Sequence, residues 1–158
     1  MYQRTLSDVE YSQRRRITRR ELFLNKMEEI ISWEKWVEQL RPFYPSGKKG
    51  RPPKDLETML RMYLLGKWFH LSAAGTEDAI YDSYAMRSFM HLDFFREQVP
   101  SETTLLHFRH LVEDQGIDKA VFQEIREKLA AEGKILRKTN CWETTIINYR
   151  IQKPRGSL

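Results

Sequence analysis

Leu56-Glu57-Thr58-Met59-Leu60-Arg61-Met62-Tyr63-Leu64-Leu65-Gly66-Lys67-Trp68-Phe69-His70 is the stretch on which the fold turns. Leu56, Met59, Leu60, Tyr63, Leu64 and Phe69 return at helical spacing, which predicts a long helix over roughly 55–70 with a buried face. Gly66, within that run, would permit a close helix crossing. Ahead of it lies Pro45-Ser46-Gly47-Lys48-Lys49-Gly50-Arg51-Pro52-Pro53-Lys54, a basic, turn-rich loop whose only apolar residues are prolines. Behind it, Ser72 to Gly75 break the pattern.

Working outward, each flank repeats the helical signal. Thr18-Arg19-Arg20-Glu21 reads as a capping box, Thr18 at N-cap and Glu21 at N3, opening a helix striped by Leu22, Phe23, Met27, Ile30 and Ile31. Ser32 is expected to cap a second helix carrying Trp33, Trp36, Val37 and Leu40, which Pro42 and Pro45 end. Short helices are expected near 76–82, capped by Thr76, and 84–90. Pro100-Ser101-Glu102-Thr103-Thr104 starts a further helix with Leu105, Phe108, Leu111 and Val112 on its apolar face, closed by Gly116. Asp118 is expected to cap a last helix with Ala120, Val121, Ile125 and Leu129 inward and Gly133 as its C′ residue. Thr144-Thr145-Ile146-Ile147 favours one short strand. The expectation is an all-α fold with a single C-terminal strand. It divides into a polar, mobile basic arm at 1–17, a helical domain at 18–133, and a strand with a basic tail at 134–158.

The chain has 158 residues, enough for one domain with a real core, and 41% hydrophobic residues, which argues against disorder. Its single cysteine, Cys141, has no internal disulfide partner, and the N-terminus shows no signal peptide, so a cytoplasmic protein is expected. No run of eighteen apolar residues is present to cross a membrane. The net charge of +5 sits at the ends: seven basic and five acidic residues over 1–30, six and one over 134–158, fourteen and sixteen between. Such a distribution steers polyanions, and it also serves solubility.

Arg14, Arg15, Arg16, Arg19 and Arg20 are the densest basic cluster and straddle a helix start, as in an arm that orders on DNA. Lys48, Lys49, Arg51 and Lys54 form a second, whose Gly50-Arg51-Pro52 suits a narrow minor groove or simply a rigid surface loop. Thr103, Thr104, His107, Arg109 and His110 lie outside the apolar stripe of their helix. With the short helix pair ahead they suggest a helix-turn-helix-like arrangement, against the alternative that Arg109 pairs with an acidic neighbour and braces the bundle. His107 and His110 lack further metal ligands, and no orienting partner completes a hydrolase. Of the carboxylates, Glu143 alone has a strand context suited to a two-metal centre.

Many short stretches in order carry a family resemblance: Thr18-Arg19-Arg20-Glu21-Leu22-Phe23-Leu24, Phe43-Tyr44-Pro45, Gly50-Arg51-Pro52-Pro53, Leu56-Glu57-Thr58-Met59-Leu60-Arg61, Glu77-Asp78-Ala79-Ile80-Tyr81 and, strongest, Val99-Pro100-Ser101-Glu102-Thr103-Thr104-Leu105 with Phe108-Arg109. The chain resembles the N-terminal part of an IS5-type insertion-sequence transposase. The resemblance implies a helical region ahead of an RNase H-like domain whose Asp-Asp-Glu triad cuts and joins DNA with Mg²⁺. Trp142-Glu143-Thr144-Thr145-Ile146-Ile147 matches the strand of the first catalytic Asp, with Glu143 in its place, and the pattern fades after Ile147. The expectation is therefore a truncated, non-catalytic fragment with no cofactor of its own. It would bind double-stranded DNA, at the terminal inverted repeats, and associate with itself or with intact transposase. The alternative is a structural or self-association remnant. A nuclease built from Glu143 with Asp78 or Asp82 is the third reading.

Overall fold

The apolar run around Met59 and Leu64 forms helix α4, Leu56–Trp68, and the other helices wrap around it. A computed structural model describes residues 5–47, 50 and 52–132. In order, α1 is Leu6–Ser12, α2 Arg19–Ile30, α3 Trp33–Leu40, α4 Leu56–Trp68, α5 Ala73–Asp82, α6 Tyr84–Phe89, α7 Glu102–Asp114 and α8 Ile117–Ala131, with a 3-10 turn at Arg41–Phe43. The fold is all-α. The Lys48, Lys49 and Arg51 side chains, Gly133, Cys141, Glu143, the expected strand and the 134–158 segment lie outside the described residues.

Met59, Leu60, Met62, Leu64, Leu65 and Trp68 are wholly buried, so α4 is apolar nearly all round, as a central helix must be. Helices α3, α5 and α7 pack on it, and α8 closes against α7, α2 and α3. Phe23 of α2 meets Trp68 edge-on at 5.3 Å, while Glu28, later in α2, reaches Arg61, earlier in α4. The two helices therefore run antiparallel, and the start of α2 lies beside the end of α4.

Gly66 does permit a close crossing. A Cβ there would sit 2.8 Å from Thr76 Oγ1 of α5. That contact also explains why Thr76 is not a cap. Ser72 caps α5 by accepting the Gly75 N–H at 3.0 Å, and Thr76, one turn in, is fully buried and donates its hydroxyl to the Ser72 carbonyl.

Four other local expectations are corrected. The polar arm contains α1, opened by a reciprocal capping box between Thr5 and Asp8. At α2, Thr18 accepts the Glu21 N–H at 3.2 Å, but the Glu21 carboxylate turns instead to Arg14. Ser32 makes no side-chain cap for α3; its own N–H donates to Glu124 of α8 at 2.7 Å. Gly116, in the left-handed region at φ 66°, turns α7 directly into α8 and takes the N-cap place expected of Asp118, which lies in the first turn.

Arg61 is the one charged residue among the buried side chains of the described residues. All five of its N–H groups are used. Nε and Nη2 donate to Glu57 at 3.2 and 2.8 Å, Nη2 and Nη1 to the two Glu28 oxygens, and Nη1 to the Phe89 carbonyl at 2.9 Å. Its guanidinium stacks over Trp33 at 4.1 Å and over Phe89 at 5.0 Å. One side chain thereby ties α2, α3, α4 and α6 together. Burial pushes the Glu28 carboxyl upward, but hydrogen bonds from His91 and Arg61 outweigh it and hold the group at about 2.

Candidate nucleic-acid interface

The arginine cluster divides into anchored and free members. Arg14 turns inward, pairing with Glu21 and lying over the Tyr11 ring at 3.5 Å, while Tyr11 stacks on Tyr84 of α6. Arg20 stacks over Phe69 at 5.0 Å. Arg15, Arg16 and Arg19 are exposed and have no acidic partner among the described residues. Anchoring the two ends of the cluster holds the three free guanidinium groups at the entry to α2, whose start lies against the end of α4.

Of the second predicted cluster, Lys54 is the described member. Lys54 is half-buried and its carbonyl accepts the Tyr44 hydroxyl at 2.6 Å, just before Asp55 caps the start of α4. At 1.5 Å per residue, α4 separates Lys54 from the Arg20–Phe69 contact by about 20 Å. Lys54 and the arginine cluster could touch one duplex only if it ran along α4 for about six base pairs at 3.4 Å each.

The candidate residues of α7 do not form one surface. Thr103, His107 and His110, spaced i, i+4 and i+7, share the exposed outer face. Thr104 is half-buried and bonds to the Ser101 hydroxyl at 3.0 Å as part of the α7 cap. Arg109 sits on the flank towards α4, where its Nε donates to Glu113 at 2.9 Å. The N-terminal turn of α7 is also taken: Glu77 of α5 accepts the Glu102 N–H at 2.9 Å. A carboxylate already satisfies the positive end of that helix, and Glu77 with Glu102 makes a poor neighbourhood for phosphate. Helices α5 and α6 meet at Ser83, which ends one and caps the other, but the loop 90–101 separates them from α7. That is longer than the three- or four-residue turn of a helix-turn-helix.

Residues 11–111 match the model of the family described as Transposase domain (DUF772). The chain belongs to that family. The match runs from the end of α1 into α7, so the transposase domain includes the arginine cluster, all of α4 and the α7 candidates, and leaves α8 outside. No solved structure matches the chain.

Lys67 and His70 of this transposase domain were not singled out by the sequence as site residues. Lys67, in the last turn of α4, donates to Glu113 at 3.1 Å, on the same oxygen that Arg109 uses. His70 follows α4 in the left-handed region at φ 54°. It stands at C′ of a Schellman motif, closed by the Leu71 N–H donating to the Gly66 carbonyl at 2.9 Å. A helix end written with histidine where glycine is usual was the available signal. Among the described residues no three His, Cys, Asp or Glu side chains converge as a metal site, and no helix is long and apolar enough to cross a membrane.

Proposed function

We propose that this transposase domain is the DNA-gripping part of an IS5-like transposase and binds the duplex at the element's terminal inverted repeats. The observation that carries this reading is the trio Arg15, Arg16 and Arg19. It is exposed, has no carboxylate partner among the described residues, and is held in place by the anchored Arg14 and Arg20. Arginines left over after the fold has satisfied its own carboxylates are available to phosphate oxygens. Binding of this kind needs no metal, and DNA cleavage is not a property of these helices. A cytoplasmic location fits a DNA ligand.

The test is fluorescence-anisotropy titration of the whole chain against a terminal-repeat duplex and a scrambled duplex over a salt series. Preference for the repeat is expected. The triple variant Arg15→Gln, Arg16→Gln, Arg19→Gln is expected to lower the slope of log K against log salt by about 2.7, three phosphate contacts' worth. An unchanged slope would remove the trio from the interface.

A second reading, self-association, rests on a different observation. Leu6 and Phe95 are 91% and 92% exposed, on segments that flank one small surface cavity. Concentration-dependent sedimentation without DNA, abolished by Leu6→Ser with Phe95→Ser, would favour it.

A further inference from the structure

Between the end of α4, the start of α5 and the flank of α7 lies a surface cavity of about 310 Å³. Lys67 and His70 at the end of α4 and Arg109 of α7 line it, with Gly66, Ser72 and Thr76 among the remaining walls. Among the described residues no carboxylate lines it. Glu113, just outside, takes both Lys67 Nζ and Arg109 Nε on a single oxygen, so the two cations are held within about 6 Å of one another. One carboxylate against two permanent cations leaves a surplus positive charge at the rim. Arg109 spends only its Nε on Glu113, and its Nη groups have no acceptor among the described residues. These are the paired donors that suit a phosphate.

We propose that this cavity is a phosphodiester seat, in which Lys67, His70 and Arg109 hold one backbone phosphate of the bound duplex. The proposal rests on the DNA-binding reading above and adds a second contact point to it. Continuity of the surface supports the assignment. Arg20 stacks over Phe69, and Phe69 is the residue before His70, so the free arginines at the entry to α2 and the cavity share one end of the molecule. Lys54, at the far end of α4, is not part of this stripe.

The backbone at His70 sharpens the case. Any side chain in the left-handed region carries a conformational cost that glycine avoids. His70→Gly should therefore melt no lower than the natural protein. A phosphate ligand would lose a donor by the change.

The experiment follows the side-chain and backbone NMR signals of His70 in the full chain during titration with a terminal-repeat duplex and, separately, with inorganic phosphate. Salt-series binding is measured in parallel for His70→Gly, Lys67→Gln with Arg109→Gln, and Glu113→Gln. The expected result is movement of the His70 signals with the duplex and a salt slope lower by about 0.9 in the Lys67/Arg109 double variant. His70→Gly should weaken DNA binding several-fold at unchanged or higher melting temperature. Glu113→Gln should tighten binding by freeing both cations. If the natural protein binds DNA but all these variants match it, the seat is overturned while the DNA-binding reading stands. If inorganic phosphate moves His70 and the duplex does not, the cavity takes free anions and the duplex assignment is overturned. If the chain binds no DNA and phosphate leaves His70 unmoved, both readings fall.

Discussion

Arg61 and the trio Arg15, Arg16 and Arg19 are the same residue put to opposite use. Arg61 is 3% exposed, uses all five donors within the protein and stacks between two aromatic rings. The trio lies in water with no acidic partner among the described residues. A buried guanidinium must find acceptors for every N–H or the fold bears the desolvation cost, so its neighbours are fixed by the interior. A surface guanidinium has no such demand. The difference separates charge committed to the fold from charge left for a ligand. Arg14 and Arg109 stand between the two, each tied to one carboxylate at the edge of a basic surface.

The largest effect that would break this contrast is at Arg61. Arg61→Ala is expected to cost about 3–5 kcal/mol, the range for breaking a buried charge pair, because it strands the Phe89 carbonyl and empties the gap between Trp33 and Phe89. Chemical denaturation checks it. A loss as small as that of a surface substitution would mean that Arg61 is no more committed than the trio.

Why Arg61 was legible only in part is a matter of range. The sequence places it on the central helix, and Glu57 stands one turn before it. Glu28, which takes two of its donors, is 33 residues away and belongs to another helix. Periodicity gave α4, α7 and the Gly66 crossing because those depend on local spacing of large apolar residues. It missed α1 because Leu6 and Val9 remain exposed, so no buried stripe marks that helix. Ser72 displaced Thr76 as a cap for a tertiary reason: the Thr76 hydroxyl lies against Gly66 across the α4–α5 crossing. The phosphate-sized cavity was invisible for the same reason as the Arg61 clamp. Lys67 and His70 are neighbours at the end of α4, but Arg109 joins them only when α7 packs against α4.

A smaller effect concerns pH and sharpens the comparison from the acid side. Glu28 is held at about 2 against an ordinary 4.5, since hydrogen bonds from His91 and Arg61 overcome the upward push of burial. A depressed carboxyl contributes stability that is complete above its unfolded value and is lost as pH falls. The stability tied to Glu28 is thus present above pH 4.5 and disappears between 4.5 and about 2. Thermal melts across that window should fall less steeply for Glu28→Gln than for the natural protein. The Glu28 side chain is 40% exposed, so solvent screening keeps the difference modest. Parallel curves for the two proteins would show that the Arg61–Glu28 pair contributes no pH-dependent stability.

The smallest expected effect on stability is the one that gives the DNA experiment its meaning. Arg15→Gln, Arg16→Gln, Arg19→Gln removes three like charges from the entry to α2 and breaks no bond to a described residue. Its melting temperature should stay within about 2 °C of the natural protein, or rise slightly as mutual repulsion is relieved. A drop of many degrees would show that the trio is tied into the fold after all, and any loss of DNA binding could then be a loss of structure. An unchanged melt with a lost salt slope can only come from charges that the protein itself does not use. That is the condition under which an arginine belongs to the ligand rather than to the fold.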